Sequence, residues 1–280
     1  LKTVAKIQAN NTWEISAVPA LPVLELVGEH ISGLNEQNVD GMMLSWTLGG
    51  YPSANLSLVN KLGAFPRQTK EQALDSLAKE TFGEGAENAR VAWKKFSDAF
   101  REYPFDGGVI YNAPVQLGPA NLLFAKRSGY AATMVGIPYD DINGWRGPYP
   151  PEVLAGQYEK VAAGFREGIA DLEMAVNKAP PQRAVEAKRE LGVAKAARVH
   201  FQSVANQVRF VLARDSAVGA ERTAKMKKIF QDERELAVSL FKLTREDSRI
   251  GFEASNQYYY LPQDLMEKVI NCNYIERHLP

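Results

Sequence analysis

The chain has 280 residues, 45% of them hydrophobic and 24% charged, with 33 basic side chains against 33 acidic ones. That is the make-up of a globular protein with a sizeable core, and it excludes wholesale disorder. A formal net charge of zero removes the field that would draw the chain to nucleic acid or anionic lipid, and the apolar stretches are far too short for a membrane span.

Thr3 to Ala9 alternates apolar or β-branched residues with polar ones and predicts a strand, ended by Asn10, Asn11 and Thr12 with Trp13 and Glu14 following. The segment SAVPALP reads as a loop. Val23, Leu26, Val27, Ile31 and Leu34 recur at helical spacing. Val39 to Trp46 is a short apolar run bounded by Asn38 and Gly49-Gly50, the pattern of a buried strand. Strand, helix, strand makes a βαβ unit, in which ligands bind at the carboxyl ends of the strands.

The remainder is helical. Helices are expected over Thr69–Phe82 and Ala86–Tyr103, joined by Gly83-Glu84-Gly85. Residues 104–150 are irregular and rich in Pro, Gly, Tyr and Asn, a length more often functional than idle. Three apolar stripes follow: Leu154 to Val176, opened by Pro150-Pro151; Leu191 to Val211; and Met226 to Leu243. Pro262 opens a last helix through Ile275. The fold class is therefore mainly α, a βαβ segment (1–64), two helices with a long irregular region (65–150) and an antiparallel up-and-down bundle (151–280).

Exclusions narrow the chemistry. The single cysteine, Cys272, permits neither an intrachain disulfide nor a cysteine zinc site, and fits a cytoplasmic or a periplasmic bacterial protein alike. His30, His200 and His278 lack metal-ligand spacing and read as surface or helix-packing residues, so neither a metal nor a cofactor is expected. No nucleophile elbow, dinucleotide fingerprint or P-loop occurs. What remains is four loops rich in aromatic and amide or carboxylate side chains: Asn10–Glu14, Ser45–Tyr51, Tyr139–Arg146, and the stretch from Glu253 to Tyr260. Sugars suit this mixture, because a ring packs on the apolar face of a pyranose while planar acceptors take its hydroxyls. The plain alternatives are core packing for Trp13 and Trp46, a cap or ion pair for Glu14, a turn for Asp140-Asp141, and a packed connection for the last loop.

NNTWEISAVPALPV, VDGMMLSWTLGGYPSANL, GIPYDDINGWRGPYPPEV and RIGFEASNQYYYLPQDLMEKVINC together resemble the C-terminal portion of large bacterial proteins classed as glycoside hydrolases. Those proteins are similar to barrel enzymes of the family-20 and family-67 type. The resemblance implies that TVAKIQANNTWE and VDGMMLSWTLGG are the last two strands of a (β/α)8 barrel. Asn11, Trp13, Glu14, Trp46 and Tyr51 would then line a sugar pocket, with Asp140 and Trp145 as a second contact region. The catalytic Asp-Glu pair of family-20 enzymes has no counterpart here, so no catalytic residue is assigned. The chain begins at Leu1 on strand-like sequence, and we read it as a fragment of a longer protein or a mature form. The partners expected are a carbohydrate and an upstream barrel domain of the same protein. The alternative is a non-catalytic helical domain for homo-oligomerisation or interdomain docking.

Overall fold

In the computed structural model, residues 1–10, 13–44, 51–132, 136–216, 219–253 and 257–279 are described. Strands β1 (Val4–Ile7) and β2 (Gly41–Leu44) pair in parallel, Val4 opposite Gly41 and Ile7 opposite Leu44. Helix α1 (Leu24–Glu36) forms the crossover and turns Leu24 and Ile31 into the core. This is the βαβ unit that the alternation predicts. The second strand is less buried than its apolar sequence suggests, with Met43 55% and Leu44 39% exposed. Among the described residues β2 has one strand partner, and that leaves these side chains without cover.

Helix α2 (Ala54–Gly63) follows, where no helix is predicted. Ser53 caps it by accepting from the Leu56 N–H, and Leu58, Val59 and Leu62 are its buried face. Helix α3 (Lys70–Phe82) starts at a Thr69–Gln72 capping box. A tight turn at Gly83–Gly85 leads into α4 (Ala86–Phe100). Gly85 has to be glycine, since a Cβ there would stand 2.5 Å from the carbonyl oxygen of Ala175.

The irregular region contains two short helices, α5 (Gly107–Ile110) and α6 (Ala113–Leu117). Side-chain amides order the rest, doing what a backbone ladder would do elsewhere. Asn121 donates to the Tyr139 carbonyl (3.0 Å) and to Gln207 (2.8 Å), while Asn271 binds both the N–H and the carbonyl of Leu123 at 2.9 Å.

The bundle consists of α7 (Pro151–Asn177), α8 (Ala184–Asp215), α9 (Ala220–Glu246) and α10 (Pro262–Arg277). A small antiparallel hairpin, β3 (Phe252–Glu253) and β4 (Gln257–Tyr258), precedes α10. The predicted stripes face inward: Leu154, Tyr158, Val161, Phe165 and Leu172 are fully buried, as are Ala194 and Leu240. Phe96 of α4 stacks on Phe165 of α7 at 4.8 Å between ring centroids, so one core runs from the strands through the bundle. Among the described residues no helix is long and apolar enough to cross a membrane.

Candidate functional site

The carboxyl end of β1 is stapled to the segment that leads into α2. Asn10 is buried; its Nδ2 donates to the Tyr51 carbonyl at 2.8 Å, and its Oδ1 accepts from the Ser53 hydroxyl. Asn55 donates to the carbonyls of Ala9 and Leu21, both at 2.9 Å. Tyr51 thereby sits beside the strand end, with the Arg249 guanidinium 5.6 Å from its ring centroid. Asp247 holds Arg249 through a forked pair of bonds.

The turn after β1 is clamped by Gln116 of α6. The Gln116 carboxamide donates to the Trp13 carbonyl at 3.1 Å and to the Ile110 carbonyl at 2.7 Å, and it accepts from the Ser16 hydroxyl. Trp13 is half-buried, and its ring lies 5.5 Å from that of Tyr111 at a 47° tilt. Tyr111 is 43% exposed, so the two rings form an accessible aromatic wall. The Glu14 carbonyl accepts from the Tyr103 hydroxyl at 3.3 Å, and the Tyr158 hydroxyl lies 3.5 Å from that of Tyr103. Burial pushes both phenols above their ordinary range, and the negative charge of Glu14 adds to the effect at each. The fourth loop closes in from the far end of the chain, where the Gly251 N–H donates to the Ala17 carbonyl at 2.7 Å.

Trp13 and Glu14 thus follow the end of β1, to which the Tyr51 backbone is tied through Asn10. Asn11 and Trp46 lie outside the described residues. Asp140 and Trp145 have other roles. The Asp140 carboxylate is buried and fully engaged: it accepts from the Ser128 N–H and hydroxyl (2.9 and 2.6 Å) and pairs with Arg214 at 2.6 Å. Trp145 is 1% exposed and donates its indole N–H to the Pro138 carbonyl at 2.7 Å. Asp140 locks the irregular region to α8, Trp145 ties that region to itself, and both side chains are buried. Tyr103, Tyr111, Gln116 and Arg249 belong to the site and escape sequence reasoning. Only the isolated aromatic of GGVIYNAP signals Tyr111. Among the described residues no three His, Cys, Asp or Glu side chains are grouped to hold a metal.

A cavity of about 360 Å³ adjoins this region, walled by Pro19, Pro22, Pro52, Arg249 and the α8 residues Glu186 and Glu190. The Glu190 stem is partly exposed, but its carboxyl is packed against Trp93, whose indole N–H it accepts. Burial, with the nearby charge of Glu186, pushes that carboxyl up to about 7. An acid whose folded pKa is raised binds more protons folded than unfolded, so stability falls as pH rises from about 4.5 to about 7. Glu190→Gln is expected to remove that loss. The gain at pH 8 is about 1–2 kcal/mol, discounted from the full shift because the residue keeps some solvent. Urea titrations of variant and wild type at pH 5 and pH 8 check it, and the same change in stability between the two pH values in both proteins would refute it.

Among solved structures the chain matches one described as a GH138 enzyme targeting pectin rhamnogalacturonan II, with a TM-score of 0.61 and 9% identity. The match covers 99% of this chain and 48% of that one, so the chain spans about half the length of the enzyme it matches. At this identity the likeness concerns the fold: it is one found in a glycoside hydrolase, and that enzyme belongs to family 138 rather than to the family-20 or family-67 type. No family model matches the chain, and no curated protein matches it.

Proposed function

We propose that this chain is the C-terminal portion of a carbohydrate-active enzyme, a glycoside hydrolase, and that it supplies sugar-binding residues to the active-site face of a (β/α)8 barrel. The carrying observation is the accessible Trp13–Tyr111 pair beyond the carboxyl end of a parallel strand, with Glu14 next to Trp13 in the chain. A pyranose packs its C–H face on the rings, and Glu14 accepts its hydroxyls. Tyr51 contributes from the next strand end, and Asn11 and Trp46 join the proposal by their sequence positions alone. β1 and β2 are the last barrel strands, and Val4, Met43 and Leu44 meet the barrel that the rest of the protein supplies. The acid and its partner carboxylate come from that part. The relation to a GH138 enzyme twice as long supports the reading.

Rhamnogalacturonan II fragments titrated into the chain, followed by calorimetry, test it. Trp13→Ala is expected to weaken binding by tenfold or more, about 1.4 kcal/mol or above. Unchanged affinity would overturn the site. The helical-docking alternative would gain from a stable dimer in sedimentation together with no binding of any fragment.

A further inference from the structure

A larger cavity lies away from the strand ends. Helices α7 and α9 both pack on α8, and between them opens a trough of about 1120 Å³ with α8 as its floor. The sequence builds it by periodicity. Glu152, Glu159 and Arg166 recur every seven residues along α7, and Arg198, Gln202, Asn206 and Arg209 form a polar stripe on α8. On an otherwise buried helix such a stripe calls for a partner.

Most charges in the trough have one. Arg209 forks onto Glu159 with both bonds at 2.6 Å, Lys225 meets Glu221 at 2.7 Å, and Lys228 meets Asp232 at 3.1 Å. Arg166 and Arg198 are different. Among the described residues neither guanidinium has a carboxylate within 4 Å, and the Arg198 Nε is buried with no hydrogen-bond partner. Burial, and then the like charge of Arg166, hold the Arg198 guanidinium below its ordinary value, and no acid offsets them. The remaining acids of the trough, Glu152 and Glu235, pair with neither; Glu235 accepts from Gln231 instead at 3.2 Å. Arg166 is exposed and Arg198 half-buried, and two like charges lining one trough with no carboxylate on either favour an anion between them.

We propose that the trough between α7, α8 and α9 is a binding site for an oxyanion, a carboxylate or phosphate group, held between Arg166 and Arg198. Gln202, one turn further along α8, borders the same space, with its carboxamide 3.2 Å from Asn206. Guanidinium groups suit such an anion because their planar donors match its oxygens. The trough is large for a bare ion, so the group is the charged end of a larger polar ligand.

Calorimetry with pyrophosphate and with citrate as probes tests the site on the whole chain, and comparing the two distinguishes a phosphate from a carboxylate ligand. At least one probe is expected to bind with a dissociation constant of about 1 mM or tighter, weakening as salt is raised. Arg166→Gln, an exposed change that leaves the core alone, is expected to weaken that binding at least tenfold. Arg198→Gln does the same, with an unfolding midpoint no lower than wild type, since it removes a half-buried charge that no carboxylate pairs. Lys94→Gln, which removes an exposed charge on α4 outside the trough, stays within twofold. Failure of both probes to bind at 10 mM, or equal binding by Arg166→Gln and wild type, would overturn the proposal.

Discussion

Lys268→Met is expected to cost about 3–5 kcal/mol of folding stability, the penalty for leaving one half of a buried ion pair alone. Lys268 and Glu233 are both fully buried, with Nζ 2.9 Å from Oε2. The lysine also donates to the Asn121 carbonyl at 2.6 Å. Glu233 accepts from the Ser203 hydroxyl at 2.8 Å and from Asn206 Nδ2 at 3.0 Å, and Gln207 extends the network to Ser203 and the Gly118 carbonyl. The cluster ties α8, α9 and α10 to the irregular region, and each of these named groups is hydrogen-bonded. With the ammonium gone, the carboxylate keeps its desolvation cost and loses its counter-charge. Replacing both residues by methionine removes both desolvation costs and is expected to recover most of the loss. Equilibrium urea unfolding of the two single variants and the double variant measures the cycle. A single-variant loss below about 1 kcal/mol would refute the account. Cys272, one turn away on α10, is a bystander: burial pushes its thiol up to about 11, so it is not a reactive thiolate at neutral pH.

The second large effect is acid sensitivity centred on His200. This ring is fully buried on α8, with Nε2 2.6 Å from the Tyr260 hydroxyl and Nδ1 unpartnered. Gly118, at φ +53°, presses its backbone on the ring so closely that a Cβ there would stand 2.5 Å from Nδ1. Burial lowers the pKa of His200 to about 3. The unfolded chain takes up its proton near 6.5, so between about 6.5 and 3 the unfolded state holds more protons, and stability falls as the pH falls. The full window is worth on the order of 4 kcal/mol. His200→Gln is expected to flatten this limb. Glu190 has the opposite slope between about 4.5 and 7 and, with its smaller contribution, offsets part of this in the overlap. The wild-type profile should therefore fall less steeply from about pH 6.5 to 4.5 than below pH 4.5. Unfolding free energies measured from pH 3 to 8 check both variants, and an acid limb of unchanged slope in His200→Gln would refute the assignment.

Much of the architecture is legible in the sequence because each long helix carries its own stripe and its own punctuation. Thr69 with Gln72, Pro151 and Pro262 mark starts that the structure uses. Helix α2 escapes because Gly-Gly-Tyr-Pro-Ser reads as loop and its apolar face is short; the signal is Ser53, a capping residue. Asp140 and Trp145 mislead because their partners lie elsewhere in the chain: Arg214 stands 74 residues beyond Asp140. Similar distance hides the partners of Trp13 and Glu14, which are Tyr111 and Tyr103. Arg166 and Arg198 are silent in sequence, since a charge on a helix normally marks a solvated face. Only the packing of α7 and α9 on α8 brings the two into one trough.

The hydrogen bond from Gly251 to Ala17 has a practical consequence for dissecting this protein. It works as a clasp, with the tail of the polypeptide gripping the turn that carries Trp13 and Glu14. Removing the hairpin and α10, however neatly the cut follows a helix boundary, would free that grip together with Arg249, the cation over Tyr51. A shortened product that retains its helices should therefore not be used to score ligand recognition.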